Sequence, residues 1–183
     1  MRFADLSADE FRARLDEALS VYAAAMVYSA GVVEQRIPIW RGQTRRDGWR
    51  CVVALDHSGR LAGFGYGYRG APGQWWDDRV RAPLAGKAGQ DTVDRWMRDY
   101  FAFTELHVRP DSQGNGVGER MLRRLLSGAP HETVLLSTPE GPGRAWNLYR
   151  RIGFVDLLRD HSFGSTDPRP YAVLGIPQHM VVP

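Results

Sequence analysis

The sequence predicts an α/β protein built around a sheet of mixed strand direction. Two apolar runs joined by a short turn, GWRCVVALD and RLAGFGYGYRG, have the pattern of a β-hairpin. A strand-like run, a glycine-rich loop and a helical pattern follow one another in ELHVRPDSQGNGVGERML. Further on, the strand-like runs TVLLST and YAVLGI flank the helical pattern of RAWNLYRRIGF. At 183 residues, one domain covering residues 1–183 is expected.

The first helix is expected to begin at Ser7. Ser7 and Glu10 form the S-x-x-E pattern of a capping box, in which each residue satisfies a backbone N–H of the other. Apolar residues then recur at helical spacing as far as Met26. A second helix is expected over residues 33–44, with a break near Pro38.

The second strand of the hairpin alternates aromatic residues with glycines. Alternate residues of a strand point to opposite faces, so one face is aromatic and the other is bare. The aromatic face carries Phe64, Tyr66 and Tyr68, and the bare face carries Gly63, Gly65 and Gly67. A bare face admits either a ligand or a closely packed helix or backbone, and the sequence leaves both readings open.

Residues 70–98 separate the hairpin from the next strand. Proline and glycine punctuate this stretch, which is expected to be irregular with one or two short helices. It is long for a connection within a compact domain, and insertions of this length are often functional.

The net charge makes nucleic acid a poor candidate partner. Lys and Arg total 24 against 21 Asp and Glu, for a net charge of +3, and the two signs are interleaved. Proteins that bind nucleic acid usually carry clustered basic residues in clear excess. A modest attraction for an anionic small molecule fits better.

The chain is expected in the cytoplasm, without a metal. Cys51 is the single cysteine and lies in an apolar run, which favours a buried thiol in a reducing compartment. The five histidines show no ligand spacing, so no metal site is predicted. The N-terminus does not read as a signal peptide. The longest apolar stretch, residues 21–33, is too short to span a bilayer, so no membrane association is predicted.

The glycine-rich loop has the character of an anion site. A strand, a loop of exposed amides and a helix N-terminus together favour phosphate. Neither common phosphate motif fits, because Glu119 and Arg120 follow Gly118 where a P-loop needs Lys and Ser or Thr. The G-x-G-x-x-G spacing of a dinucleotide site fails from both Gly114 and Gly116. Glu140, at the end of the next strand, keeps a ribose-binding alternative open.

Two stretches resemble the signatures of the GCN5-related N-acetyltransferase (GNAT) superfamily. QGNGVG, Gln113 to Gly118, is similar to its Q/R-x-x-G-x-G/A motif, and AWNLYRRIGF, Ala145 to Phe154, to its A-x-x-L-Y-x-x-x-G-F segment. Together they cover about residues 100–155. The resemblance implies a mostly antiparallel central sheet with flanking helices and a strand pair that splays at the acetyl-CoA site. The family's first strand is poorly represented before Ser7, and the 70–98 insertion falls where family members differ in substrate.

The resemblance implies acetyl-CoA as co-substrate and direct acetyl transfer to a primary amine, of a small molecule or a protein, in a ternary complex. The loop amides would hold the pyrophosphate: Gln113, Gly114, Asn115, Gly116, Val117 and Gly118. The strand backbone before the loop, at Leu106, His107 and Val108, would pair with the pantetheine arm. One amide there would polarise the thioester carbonyl.

Two side chains match the family's catalytic positions. Glu105 matches the general base that removes a proton from the amine, often through water; the alternative is a surface carboxylate in a salt bridge. His107 falls on the same strand face and would share the relay or simply pack. Tyr149 matches the tyrosine that meets the thioester sulfur, and we interpret it as a hydrogen-bond donor to the leaving thiolate. The alternative is a core tyrosine beside Trp146 and Ile152.

The sequence gives less information about where the acceptor amine binds. Aromatic and acidic side chains suit a cationic amine, which makes four residues of the insertion candidates: Trp75, Trp76, Asp77 and Asp78. They would otherwise anchor the insertion. Three arginines either reach the adenosine 3′-phosphate or form a solvated face: Arg120, Arg123 and Arg124. A non-catalytic acyl-CoA-binding module, a longer acyl donor and a homodimer contact through the insertion are the remaining options.

Overall fold

The computed structural model describes residues 1–164 and 169–181. The strands are β1 (Arg2–Leu6), β2 (Arg50–Leu55), β3 (Leu61–Arg69), β4 (Tyr100–Val108), β5 (Thr133–Pro139), β6 (Val155–His161) and β7 (Tyr171–Pro177). The helices are α1 (Ala8–Ala13), α2 (Leu15–Met26), α3 (Ala30–Glu34), α4 (Arg36–Gln43), α5 (Trp75–Ala88), α6 (Gln90–Met97), α7 (Val117–Leu126) and α8 (Arg144–Ile152). Short 3₁₀ turns lie at Pro110–Ser112 and Gln178–Met180.

The chain divides into two compact units, and the first comprises residues 1–68 and 104–127. Its strands lie in the order β1-β2-β3-β4, with the later part of β4 at one side. β1 and β3 both pair antiparallel with β2. Aromatic rings fill the core of this unit, where Phe11 contacts Trp40, Phe64 and Tyr66 at centroid distances of 5.5–6.3 Å. This packing fixes the strand face that carries Phe64 and Tyr66.

The second unit comprises residues 69–103 and the chain from Gly128 onward. Its strands lie in the order β4-β5-β7-β6, beginning with the first residues of β4. β5 runs parallel to β4, while β7 pairs antiparallel with both β5 and β6. The parallel ladder joins Tyr100–Ala102 to Thr133–Leu135, and β4 continues beyond it to Val108. The pairings confirm the predicted α/β class with a mixed, mostly antiparallel sheet.

The structure corrects the expectation that little strand precedes Ser7. β1 occupies this segment, and all five of its residues are in register with β2, from Arg2 opposite Leu55 to Leu6 opposite Cys51. The capping box at Ser7 is present in both directions and starts α1 directly after β1. The strand is short and half exposed, so its sequence pattern is weak.

Two helices form most of residues 70–98, where the sequence predicted an irregular stretch with one or two short helices. α5 has fourteen residues and α6 has eight, with Gly89 between them at φ 83°. Pro83 lies inside α5, which is why the stretch looked broken. Farther upstream, the expected break near Pro38 falls at Gln35 instead, because Pro38 lies in the first turn of α4, where its missing N–H costs no helical bond.

The glycine face of β3 is closely packed. A Cβ on Gly63 would lie 2.8 Å from the His107 carbonyl oxygen and 2.9 Å from the terminal methyl of Met121. A Cβ on Gly65 would lie 3.0 Å from a methyl of Leu106. Of the two readings left open, close packing is the one observed at these glycines, against the backbone of β4 and the buried face of α7.

Candidate functional site

The glycine loop joins β4 to α7 in a conformation that only glycine adopts without strain. Gly114 and Gly116 have φ values of 84° and 72°, in the left-handed region, and Gly116 is the N-cap of α7. A Cβ at either position would meet nothing within 4 Å. The space beside the loop is therefore open, and the first amides of a helix lack partners within the helix. This arrangement fits a phosphate group.

Gln113 fastens the loop to the strand that precedes it. Its side-chain amide donates to the Val108 carbonyl over 2.8 Å, and its backbone N–H donates to the Pro110 carbonyl over 3.3 Å. Asn115 is exposed, whereas the Val117 side chain is buried. Four further apolar residues of this helix are also buried: Met121, Leu122, Leu125 and Leu126. The helix is thus anchored with its N-terminus at the loop.

Glu105 lies on β4 ahead of the loop, and its carboxylate is held on both oxygens. The Trp40 indole N–H donates to Oε1 over 3.2 Å, and His107 Nε2 lies 2.6 Å from Oε2. The side chains of Glu105 and His107 are 13% and 10% exposed. Their shared strand face is confirmed. Glu105 is therefore largely buried and contacts an indole and an imidazole, and its role as a base stays a prediction.

The rings of Tyr22 and Phe64 pack against the His107 imidazole, at centroid distances of 4.9 and 5.4 Å. Burial raises the pKa of the Tyr22 hydroxyl, the charge of Arg36 opposes the rise, and the charge of Glu105 adds to it. Burial alone would lower the pKa of Arg36, but Glu105 and Tyr22 outweigh it, so this pKa is raised. The partly buried carboxylate of Glu105 and the partly buried guanidinium of Arg36 thus both act on the same aromatic side chain, Tyr22.

Sequence reasoning missed Trp40, Arg36 and Tyr22 as neighbours of Glu105. Trp40 and Glu105 are 65 positions apart in the chain, so no local spacing connects them. The signal that was available is weak: α4 carries a single tryptophan, Trp40, which is fully buried.

Tyr149 lies on α8 in the second unit and is 7% exposed. Its ring makes edge contacts with Phe103 and Phe154, at centroid distances of 6.2 and 5.7 Å. Trp146 instead contacts the guanidinium groups of Arg150 and Arg159, at 4.5 and 5.0 Å. The role of Tyr149 toward a thioester stays a prediction.

The two tryptophans proposed from the sequence as acceptor-site candidates have different surroundings. Trp75 is 57% exposed, with its ring 5.9 Å from that of Phe163 and the Arg79 guanidinium 5.2 Å from its centroid. Trp76 donates its indole N–H to the Ser137 hydroxyl over 3.0 Å. Trp76 therefore anchors α5, whereas Trp75 presents an aromatic surface.

The two aspartates of α5 also differ. Asp77 is fully buried, and its carboxylate accepts two bonds of 2.8 Å from Arg81 and one of 2.7 Å from the Tyr100 hydroxyl. This geometry favours a structural role for Asp77 over contact with an acceptor. Asp78 is exposed and accepts the Gly73 N–H over 3.0 Å, ahead of the first turn of the helix.

The three arginines of α7 have partners within the first unit. Arg123 pairs with Glu119 over 3.0 Å, and Arg124 pairs with Asp5 over 2.7 Å. The Arg120 guanidinium lies 4.3 Å from the centroid of the Phe3 ring. Contact with a 3′-phosphate stays a prediction for all three.

Other candidates from the sequence have defined positions. Cys51 is buried, and burial raises the pKa of its thiol, as a structural cysteine requires. The Glu140 carboxylate accepts two 2.8 Å bonds from Arg159, which lower its pKa to about 2, so it is engaged within the fold. Within residues 1–164 and 169–181, no group of three or more His, Cys, Asp or Glu could hold a metal ion. No helix in this part of the chain is long and apolar enough to cross a membrane.

Comparisons with known proteins agree with the loop and the fold. A model of the acetyltransferase (GNAT) family matches residues 14–154. The chain is 41% identical over 197 residues to the GCN5-like protein acetyltransferase Rv2170 of Mycobacterium tuberculosis, covering 93% of this chain and 95% of that protein.

Two solved structures share the fold at low sequence identity. Ribosomal-protein-alanine N-acetyltransferase from Brucella melitensis has a TM-score of 0.64 at 15% identity, with 97% of this chain and 99% of that chain covered. An N-acetyltransferase from Staphylococcus aureus has a TM-score of 0.63 at 14% identity, also covering 97% and 99%.

Proposed function

The chain belongs to the acetyltransferase (GNAT) family, and from this we propose that it transfers the acetyl group of acetyl-CoA directly to a primary amine in a ternary complex. The observation that carries the proposal is the open glycine loop at the N-terminus of α7, directly after the strand that bears Glu105. Acetyl-CoA, when bound, supplies an activated thioester. The residues of the chain would bind the thioester and accept or donate the protons of the reaction.

The loop from Gln113 to Gly118 is the proposed pyrophosphate site. The φ values of Gly114 and Gly116 turn the backbone so that amides, and no side chains, border the open space. Leu106, His107 and Val108 supply the strand backbone proposed to run beside the pantetheine arm. One amide of this strand would polarise the thioester carbonyl.

Glu105 is the proposed general base. A lysine-like ammonium has a pKa of about 10.4 in water, so it must lose a proton before its nitrogen can attack. Glu105, directly or through one water, would take that proton, while Trp40 and His107 hold the carboxylate in place. The amine nitrogen then bonds to the acetyl carbon, the carbon–sulfur bond breaks, and CoA leaves as a thiolate. Tyr149 is proposed to donate a hydrogen bond to that sulfur.

The acceptor is proposed to be a lysine side chain of a protein. The 41% identical relative is called a protein acetyltransferase, and the identity extends over nearly the whole of both chains. A small-molecule amine is the alternative within the same chemistry. Action as one domain in the cytoplasm, and a homodimer contact through the exposed Trp75, remain proposals.

The experiment measures thiol release from acetyl-CoA over a panel of lysine peptides and small amines, together with acetyl-CoA affinity by calorimetry. Glu105→Gln is expected to lower kcat/KM by about 100-fold, the usual size of general base catalysis, with acetyl-CoA affinity unchanged. Tyr149→Phe is expected to lower kcat and leave the affinity for acetyl-CoA intact.

Two results would count against the proposal. Tight acetyl-CoA binding with no turnover of any amine would favour a non-catalytic acyl-CoA-binding module instead. A fully active Glu105→Gln variant would place the base elsewhere.

A further inference from the structure

Arg36 stands out among the groups around Glu105, because it carries a charge for which the fold provides no ion pair. No carboxylate lies within 4.0 Å of its guanidinium in the part of the chain that the structure describes. Its guanidinium carbon instead lies 5.4 Å from the centroid of the Tyr22 ring. Other arginines of the same unit do have carboxylate partners: Arg12, Arg14, Arg109, Arg123 and Arg124.

The surroundings of Arg36 stabilise its charge without a direct ion pair. Its side chain is partly buried, and the charge of Glu105 together with the Tyr22 side chain outweighs the loss of solvation, so the pKa of the guanidinium is raised. The charge of Glu105 acts on it, but Glu105 is bonded to Trp40 and His107 rather than to Arg36. The fold therefore maintains a half-buried cation beside the proposed base.

The surroundings of Glu105 restrict where an acceptor can enter. A general base must lie within about 3 Å of the proton it removes, or one water further away. Three aromatic side chains near Glu105 are buried in the core: Tyr22, Trp40 and Phe64. Arg36 and Tyr28 are partly exposed, as are Glu105 and His107 themselves. An amine that approaches Glu105 from the side of Tyr22 would pass the Arg36 guanidinium, which lies over that ring.

A bare ammonium would be repelled by Arg36 on this path, whereas a group carrying a carboxylate close to the amine would be attracted. The planar guanidinium matches the geometry of a carboxylate and can donate two parallel hydrogen bonds to it. Such a contact would also supply the ion pair that the fold withholds from Arg36.

We infer that Arg36 determines acceptor specificity by binding a carboxylate next to the acceptor amine, so that the enzyme selects lysine side chains flanked by aspartate or glutamate. This inference rests on the proposed acetyl transfer to a lysine amine. The carboxylate of the acceptor binds the guanidinium, and the lysine chain extends past it to Glu105.

The test uses two peptides that differ only in charge beside one lysine, with Asp and Glu in the first replaced by Asn and Gln in the second. The purified full chain is expected to acetylate the acidic peptide with about tenfold higher kcat/KM, the size of one charge-assisted contact. Arg36→Gln should abolish the preference, and Arg36→Lys should keep part of it.

Arg41→Gln is the matched control. Arg41 lies on the same helix, is exposed, and its loss changes the net charge by the same amount. This variant should retain the full preference, which separates a contact at the site from the general attraction between a basic protein and an acidic peptide.

The outcomes separate the inference from the proposed function. Equal turnover of both peptides by the wild type, or an undiminished preference in Arg36→Gln, would overturn the inference and leave acetyl transfer standing. No turnover of either peptide, with acetyl-CoA still bound, would overturn the proposed acceptor and the inference together. Circular dichroism of each variant confirms that it is folded before rates are compared.

Discussion

At the scale of single residues, Glu105 is held by one partner that is distant in the chain and one that is two residues away. Trp40 comes from α4 and His107 from the same strand, and each is placed at one carboxylate oxygen. Two contacts, one on each oxygen, fix the plane of the carboxylate group. His107 and Trp40 are therefore expected to act as positioning residues for the proposed base.

The kcat/KM values of two His107 variants should reveal this role. In His107→Leu the carboxylate loses one hydrogen bond and is held less firmly, so kcat/KM should fall about tenfold. His107→Gln retains an N–H donor that can reach the carboxylate, so its kcat/KM should lie near that of the wild type. If the Gln variant lost as much activity as the Leu variant, His107 would be carrying a proton rather than positioning Glu105.

The family resemblance indicated Glu105, and local patterns indicated His107 and the glycines, but neither gave the function of every polar group. Asp77 has the same chemistry in the sequence as Asp78, and both were acceptor candidates. Folding buries Asp77 against Arg81 and Tyr100 and leaves Asp78 exposed. Tyr100 is 23 positions away from Asp77, so this difference depends on contacts that no local pattern records.

At the scale of elements, substitutions in the loop between β4 and α7 have two effects that can be measured separately. One is the loss of stability caused by backbone strain, and the other is the loss of binding when a side chain blocks the ligand. A side chain at Gly114 strains the backbone, because φ is 84°, and also projects into the space proposed for the pyrophosphate. Gly59, in the turn between β2 and β3, has nearly the same φ of 81° and equally open space. The two glycines differ in what is proposed to bind beside them.

Gly114→Ala and Gly59→Ala are therefore a matched pair. Each should lower the free energy of unfolding by a similar amount, about 1 kcal/mol, because an L-residue is strained at positive φ. Only Gly114→Ala should weaken acetyl-CoA binding, by about tenfold or more in calorimetry. Equal affinities in the two variants would remove the pyrophosphate from this loop.

Elements with strong local signals could be predicted from the sequence, and elements stabilised by distant contacts could not. The capping box at Ser7 and the helix after the glycine loop were predicted correctly, since their patterns are local. β1 was missed because a five-residue, half-exposed strand shows little alternation and is defined by its register with β2. The length of α5 was underestimated, because Pro83 and the flanking glycines indicated an irregular stretch with short helices, whereas the buried Asp77 pairs with Arg81 one turn further along the helix.

At the scale of the whole molecule, β4 is the element that both compact units use. Its first residues belong to the unit that pairs with β5, and its last residues belong to the unit that carries Glu105. A strand is ordered only as far as its pairing and packing hold it, so neither unit has a complete sheet without this strand. This sharing argues that the chain unfolds as one domain.

We therefore expect a single cooperative unfolding transition. Of the six tryptophans, Trp40 and Trp49 lie in the first unit and the others in the second: Trp75, Trp76, Trp96 and Trp146. Chain labelled with fluorotryptophan gives a separate ¹⁹F NMR signal for each, which can be followed through one urea titration. All six midpoints should coincide with each other and with far-UV circular dichroism. Different midpoints for the two groups would instead establish two independently folding domains.

Repeating the same urea titration with acetyl-CoA tests whether binding of the donor stabilises both units. A ligand that binds only the folded state raises the free energy of unfolding of every segment that unfolds with its site. Although the glycine loop lies in the first unit, saturating acetyl-CoA should raise all six midpoints by the same amount. A shift confined to the signals of Trp40 and Trp49 would mean that the second unit unfolds without regard to the bound donor.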